Sequence, residues 1–181
     1  PVGTGAMAAL LGLDFATASA VASEAAQGQV CQAANDNSDG QVVVSGNKAA
    51  VERALDIARA RGAKRAILLP VSAPFHCALM QPAADVMAQA LASVTMNAPV
   101  VPVVANVGAG PLSDTAAIRD SLVAQVTGTV RWRERVEFMA RNGITHVFEI
   151  RHGKVLAGLV KRIAEGASSA SIGTETKRGS P

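Results

Sequence analysis

Residues 41–58 read QVVVSGNKAAVERALDIA, a short apolar run followed directly by a helical pattern. The run over 41–45 is rich in β-branched valine, which predicts a buried strand. Asn47 is a residue type favoured at helix N-caps and predicts the start of a helix. Three apolar residues then recur at i, i+4 and i+7, namely Val51, Leu55 and Ala58. A strand followed by an amphipathic helix indicates an α/β fold.

The flanking sequence extends this unit on both sides. The run from Ala6 to Leu11 predicts a buried strand, and Asp14 caps an Ala-rich helix over 15–27 that Gly28 ends. The other predicted elements are a strand over 30–34, a turn-rich segment over 35–40 and a strand over 66–71. The resulting order over residues 1–72, β-α-β-β-α-β, is that of a ferredoxin-like unit.

From about residue 73 the pattern changes to helices separated by short strands. The predicted elements are helix 78–93, strand 100–105, a Gly/Pro-rich loop over 106–113, a helix from Asp114 to about 126, helix 131–142, strand 145–150 and helix 154–165. Strands that alternate with helices predict a parallel α/β sheet, although residues 73–166 hold too few strands for a complete one. Residues 167–181 are rich in Ser, Thr, Gly and Lys and predict a loosely ordered tail.

The composition excludes several classes of protein. Of the 181 residues, 49% are hydrophobic and 17% are charged, which predicts a packed core rather than a disordered chain. A net charge of +3 with only 3% aromatic residues and no Tyr argues against a nucleic-acid binder. The two cysteines cannot form a disulfide framework, so we expect a reducing compartment, the cytoplasm. No membrane-length apolar run or signal peptide is visible, and the loop-like start at Pro1 suggests a piece of a longer protein.

Three histidines are the first candidates for chemistry. None has a partner at metal-ligand spacing, so we expect no metal site and no cofactor. His146 falls inside a predicted strand, and we interpret it as a structural residue. His152 lies between a strand and a helix, and we expect it to be exposed. His76 follows a strand, lies behind Pro70 and Pro74 and precedes a helix. A stiff loop at a strand end suits a general base, and a capping histidine is the alternative.

No nucleophile accompanies His76 in an obvious pattern. The Gly-x-Ser-x-Gly elbow is absent, because Ser45 lacks the first glycine and Ser72 lacks both. Cys77 adjoins His76, but neighbours in sequence rarely point at each other, and a small buried residue is the simpler interpretation. A Ser-His or Cys-His enzyme therefore needs a residue that this chain does not visibly contain.

The segment from Pro74 to Met80, PFHCALM, closely resembles the malonyl-CoA:acyl-carrier-protein transacylases of fatty-acid synthesis. The similarity covers nearly the whole chain. Its other blocks are GTGAMAA at 3–9, NDNS at 35–38, GQVVVSG at 40–46, GAKRA at 62–66, NAP at 97–99 and GKVL at 153–156. The resemblance implies a large α/β-hydrolase-like subdomain with an inserted ferredoxin-like small one. Residues 1–72 match the small subdomain and 73–166 the C-terminal half of the large one. The family's nucleophilic serine lies in the other half.

The resemblance also implies roles for particular residues. His76 is the general base and acid, and the backbone carbonyl of Gln125 holds its Nδ1–H in place of a carboxylate. On sequence alone, Gln125 could equally be an exposed residue at a helix end. Asn35 and Asn37 match asparagines that border the substrate cleft, whereas by residue type they are turn formers. The implied partners are malonyl-CoA and acyl carrier protein, and the implied reaction passes through an acyl-serine.

Two further interpretations concern specificity and docking. Phe75, on the loop that Pro74 stiffens, would fill the space that a methyl branch on the substrate needs; the alternative is a core anchor for the loop. Lys64 and Arg65 are adjacent cations at an element end and could guide an acidic carrier protein. A solvated pair of surface charges explains them equally well.

Two other functions remain open at the level of sequence. The chain could be a non-catalytic fragment that binds a carrier protein, or part of an acyltransferase domain of a polyketide synthase. One departure from the family pattern stands out, since Arg151 and His152 replace its Gly-Pro. A side chain at 151 loses the freedom to adopt positive φ and adds charge near the expected cleft.

Overall fold

The structure is a computed structural model and describes residues 3–150 and 153–173. The contacts between residues divide the chain into two compact units, Pro1–Arg135 and Val136–Pro181. In the described part, no helix is long and apolar enough to cross a membrane.

The first unit contains a four-stranded antiparallel sheet with two helices. Its elements are β1 (Gly5–Leu11), α1 (Phe15–Ala26), β2 (Cys31–Ser38), β3 (Gln41–Asn47), α2 (Lys48–Ala60) and β4 (Arg65–Leu68). The predicted order β-α-β-β-α-β is confirmed. The strands lie in the order β2-β3-β1-β4, so the first strand along the chain is an inner strand of the sheet.

The two helices form the core with the sheet. The predicted apolar face of α2 is confirmed, because Val51, Leu55 and Ala58 are all buried. The predicted cap of α1 is confirmed as well, since the Asp14 carboxylate accepts a hydrogen bond from the Thr17 backbone N–H at 2.6 Å. Asn47 precedes α2 but does not cap it, because its side chain accepts a hydrogen bond from the Val30 N–H at 2.8 Å instead.

The predicted turn over 35–40 is wrong for most of its length. Strand β2 continues to Ser38, with two register shifts against β3, and only residues 39–40 turn. Local propensity is overridden here by contacts with residues far along the chain: the Asp36 backbone N–H donates to Val130 O at 2.9 Å. Strand β4 ends at Leu68, short of the predicted residue 71, and Pro70 has no N–H to extend the ladder.

The remainder of the first unit is mostly helical. A 3₁₀ turn (Ala78–Met80) leads into α3 (Gln81–Ala92), and α4 (Thr115–Ala124) follows later. Helix α5 (Trp132–Arg141) begins in this unit and continues past its boundary at Arg135. The predicted strand over 100–105 is reduced to β5 (Val103–Val104), which pairs antiparallel with β6 (Pro111–Leu112). The expected parallel pairing is therefore wrong for this segment. Pro99 and Pro102 lack N–H donors, which limits how far a strand can extend there.

In the second unit one pair of strands is parallel, as the sequence predicts for an α/β sheet, but only the first strand of the pair is among the predicted ones. Strand β7 (His146–Ile150), helix α6 (Val155–Ile163) and strand β8 (Ser168–Ile172) form a β-α-β arrangement with parallel strands. The sequence predicted a loosely ordered tail from 167, which is wrong for residues 168–172. A Ser-rich strand carries no apolar signal, and this one is defined by its pairing with β7. Residues 174–181 lie outside the described part.

Candidate active site

The loop that carries His76 has an unusual backbone. His76 has φ of 60°, in the left-handed region that residues other than glycine seldom occupy. Its side chain is half-buried, while the preceding Pro74 is buried. The Phe75 backbone N–H donates to Ala73 O at 3.1 Å, which tightens the turn. Such a conformation persists only where surrounding contacts hold it, and it is frequent at functional sites.

Two contacts hold this loop against the sheet, and a third lies within the loop. A Cβ built on Gly5 of β1 would lie 2.5–2.8 Å from Cβ and Cδ of the Pro74 ring, so only glycine leaves room for the proline. The backbone N–H of Ala78 donates to Gln32 Oε1 on β2 at 2.7 Å. Within the loop, the Cys77 thiol donates to Pro74 O at 3.2 Å. The loop is therefore fixed on both sides of His76.

The imidazole of His76 points to the end of helix α4. Its Nδ1 lies 2.8 Å from the backbone oxygen of Gln125, the residue directly after the helix. The last carbonyls of a helix have no intrahelical partner and can accept hydrogen bonds from elsewhere. Because a carbonyl can only accept, Nδ1 carries the hydrogen, and Nε2 of the neutral ring presents a lone pair. This is the contact that the sequence resemblance implies.

Sequence reasoning missed the residues behind Gln125. Asn106 Nδ2 donates to Gln125 Oε1 at 2.6 Å, and Asn106 Oδ1 accepts from Nη1 of Arg135. The Arg135 guanidinium lies over the Trp132 ring, 5.0 Å from its centroid. Asn106 lies in a Gly/Pro-rich loop and Arg135 in a charged helix. The sequence around them therefore does not identify either residue as part of the site.

A buried ion pair connects β2 to helix α5. Asp36 is 2% exposed, and its carboxylate accepts hydrogen bonds from Arg133, with Nη2 at 2.8 Å from Oδ2. On either side of Asp36 in the sequence, Asn35 and Asn37 are half-buried. In the described part of the chain, no hydrogen bond joins either asparagine to His76. Their place at the substrate cleft stays a prediction.

The candidate nucleophiles do not meet His76. Ser45 is fully buried in β3 and Ser72 is exposed in the loop after β4. Burial raises the pKa of the Cys31 thiol to about 11, with a smaller contribution from Cys77, so it is not a thiolate at neutral pH. Cys77 is buried, and its thiol is directed at a carbonyl. No serine or cysteine among residues 3–150 and 153–173 hydrogen-bonds to His76. A nucleophile outside this chain stays a prediction.

The residues proposed for specificity and docking are on the surface. Phe75 is 40% exposed, although it directly precedes the half-buried His76. Lys64 and Arg65 are both exposed at the start of β4.

His146 begins β7 and is exposed, with Nδ1 2.8 Å from the Thr145 hydroxyl.

Two other predictions concern the departure from the family pattern at residues 151–152 and the absence of a metal site. Arg151 and His152 lie outside the described residues. Among the residues that are described, no group of three or more His, Cys, Asp or Glu side chains is placed to hold a metal ion.

Nearly the whole chain is similar to proteins of known function. No protein-family model matches it. The malonyl CoA-acyl carrier protein transacylase of Escherichia coli K12 is 52% identical over 172 residues, which cover 95% of this chain and 56% of that protein. The acyl-carrier-protein S-malonyltransferase structure from Bartonella henselae matches with a TM-score of 0.92 at 51% identity, over 97% of this chain and 56% of that one.

A third match is a malonyl-transacylase solved in complex with a type II polyketide synthase acyl-carrier protein. It has a TM-score of 0.91 at 48% identity and covers 95% of this chain and 56% of that one. The chain thus spans about half the length of the relatives that it matches. This chain is similar in sequence and in fold to the malonyl CoA-acyl carrier protein transacylases, over nearly all of its own length and about half of theirs.

Proposed function

We propose that this chain is part of a malonyl-CoA:acyl-carrier-protein S-malonyltransferase that acts in the cytoplasm in fatty-acid synthesis, and that it supplies the general base. The contact between His76 Nδ1 and the Gln125 carbonyl, at 2.8 Å, is the observation that carries the proposal. It leaves Nε2 free to accept a proton, whereas His146, the other histidine in the described part of the chain, is exposed and lies beside the Thr145 hydroxyl. The relatives favour this function over a non-catalytic binding fragment or a megasynthase domain.

The proposed reaction has two half-reactions that use the same histidine. In the first, Nε2 of His76 takes the proton of a serine hydroxyl as the serine oxygen attacks the malonyl thioester. The carbon–sulfur bond then breaks, the CoA sulfur leaves with that proton, and an acyl-serine remains. In the second, Nε2 takes the proton of the carrier protein's phosphopantetheine thiol, whose sulfur attacks the acyl-serine. The serine oxygen leaves and recovers the proton.

The serine would belong to a part of the protein outside this chain. This chain would supply the base and the residues that position it. The Gln125 carbonyl fixes the tautomer that the proton transfers require. Phe75, Asn35 and Asn37 would border the malonyl group, and Lys64 and Arg65 would meet the acidic carrier protein. The neighbour solved with an acyl-carrier protein supports that choice of partner.

The proposal extends to the organisation of the chain. Residues 1–72 would form a ferredoxin-like small subdomain, supported by the strand order β2-β3-β1-β4. Residues 73–166 would form the C-terminal part of an α/β-hydrolase-like large subdomain, supported by the parallel pair of β7 and β8. The contact boundary after Arg135 falls within this second segment.

The test is His76→Ala in the full-length protein. We expect malonyl transfer from CoA to the carrier protein to fall by roughly 10²–10⁴-fold, the usual contribution of a positioned general base. The melting temperature should change little, because His76 lies in a loop and contributes one hydrogen bond. His146→Ala, at an exposed histidine, is the matched control and should keep normal turnover. Near-normal turnover in His76→Ala would remove this residue from the mechanism.

A further inference from the structure

The side chain of Gln125 lies in a hydrogen-bonded chain that ends at a cation. Gln125 Oε1 accepts from Asn106 Nδ2 at 2.6 Å, and Asn106 Oδ1 accepts from Arg135. We infer that Asn106 is a positioning residue for the base: it holds Gln125 so that the Gln125 carbonyl stays directed at Nδ1 of His76. The inference rests on the proposed role of His76.

Gln125 needs such an anchor because it stands where helix α4 ends. Its own N–H is satisfied by Ser121 O at 3.0 Å, but the chain turns away directly afterwards, and Val126 bonds back to Val123. Helix ends fray unless a side chain or the tertiary structure holds them. The contact with Asn106 is the side-chain hydrogen bond of Gln125 in the described part of the chain.

Asn106 is itself fixed from two sides. The backbone N–H of Arg131 donates to Asn106 O at 2.9 Å, and the Arg135 guanidinium holds the side-chain oxygen. With Oδ1 accepting from an arginine, which can only donate, the amide must present Nδ2 to Gln125. Arg135 therefore sets the orientation of the amide, and the amide sets the side chain of Gln125.

The setting of Arg135 fits a positioning role better than a stabilising one. Burial lowers the pKa of its guanidinium, because the charged form is removed from water. In the described part, its Nε is buried without a hydrogen-bond partner. A buried donor left unpaired destabilises the fold, so this arginine is poorly placed to be a structural anchor alone. The Trp132 ring beneath it and the Asn106 oxygen fix where the cation points.

The first experiment is a double-mutant cycle on malonyl transfer, in the full-length protein. Asn106→Ala should lower kcat about tenfold, a fraction of the roughly 10²–10⁴-fold that a positioned base supplies. The KM for malonyl-CoA should stay within about twofold, since the inferred role of Asn106 is to orient the base and not to bind substrate. Gln125→Ala keeps the backbone carbonyl and removes only the anchored side chain, so it should lose a similar factor. The double variant should lose no more than either single variant, because both break the same chain of contacts.

The second experiment measures the tautomer of the His76 ring directly. ¹⁵N NMR of the imidazole distinguishes the Nδ1–H from the Nε2–H tautomer. We expect His76 to be almost wholly Nδ1–H in the parent protein and a mixture of the two tautomers in Asn106→Ala. Asn142→Ala is the matched control: its Nδ2 also donates to a carbonyl, Phe138 O at 2.8 Å, but the residue is exposed and this bond is local, to a residue four positions earlier. That variant should match the parent in kcat and in tautomer.

The possible results separate the inference from the proposed function. A His76 tautomer unchanged in Asn106→Ala, or full activity in Gln125→Ala, would overturn the positioning role. If Asn106→Ala folds poorly, Gln125→Ala still decides, since it alters one half-buried side chain after a helix. If His76→Ala is active while the tautomer shifts as expected, the proposed function fails and the positioning contact stands.

Discussion

Gly5, on β1, leaves the space that Pro74 of the His76 loop occupies. The variant Gly5→Ala tests whether the position of that loop determines activity. Gly5 is the first residue of β1, and Pro74 packs directly on its backbone. The added methyl group would lie 2.5–2.8 Å from Cβ and Cδ of Pro74, where ordinary contact begins at 3.4 Å. A proline ring cannot rotate away as a flexible side chain can. The ring and its loop must therefore retreat by about 1 Å.

This displacement is enough to break the contact that orients the base. The hydrogen bond between His76 Nδ1 and Gln125 O is 2.8 Å long, and an added 1 Å exceeds the range of a hydrogen bond. A misplacement of about 1 Å in a catalytic group can cost roughly 10²-fold in rate. Overpacking of this kind also destabilises by about 1–3 kcal/mol. We expect kcat for malonyl transfer to fall about 10²-fold in a protein that still folds.

The assay is malonyl transfer in the full-length variant, with thermal unfolding measured on the same sample. Gly108→Ala is the matched control, because Gly108 is exposed, does not have a positive φ, and has no atom within 4 Å of a built Cβ. It should leave both kcat and the melting temperature near the parent values. A Gly5→Ala protein with unchanged kcat would refute the reasoning, because it would show that the loop can shift without moving the base.

Two other predictions concern the surface of the proposed site. Phe75→Ser should raise the ratio of kcat/KM for methylmalonyl-CoA over malonyl-CoA, by up to the roughly 10–200-fold that a pocket gains from one methyl group. If the ratio stays constant while stability falls, Phe75 is a loop anchor. Reversing the charges of Lys64 and Arg65 to Glu should slow association with the carrier protein and leave malonyl loading from CoA unchanged. Equal losses in both half-reactions would show that these residues support the fold instead.

The sequence predicted best where the signal is local and periodic. The apolar face of α2 at Val51, Leu55 and Ala58 and the Asp14 cap depend on neighbours within a few turns of helix, and both are present. Strand β8 was missed because it has no apolar pattern of its own and is defined by its parallel partner. Long-range pairing of this kind leaves no trace within a sequence window.

The same distinction applies to the site. His76 was found because proline, strand end and helix start surround it within a few residues. The Gln125 contact came from the family resemblance, since 49 residues separate the pair. By residue type, Asp36 and its neighbours predict a turn, because Asn and Asp favour turns. Asp36 is in fact buried in a strand, because an arginine 97 residues further along the chain neutralises its charge.

The neutral partner of His76 fits the leaving groups of the proposed reaction. A carboxylate at Nδ1 would stabilise the imidazolium and make it hold its proton more tightly. The Gln125 carbonyl fixes the same tautomer without adding a charge. Thiols ionise near pH 8.5, so a departing CoA thiolate needs far less help from an acid than a departing amine does. The base must instead release its proton readily and take the next one from the carrier thiol. A backbone carbonyl meets that requirement, because it orients the ring without adding a negative charge, and the side chain of the residue that carries it is bound by Asn106.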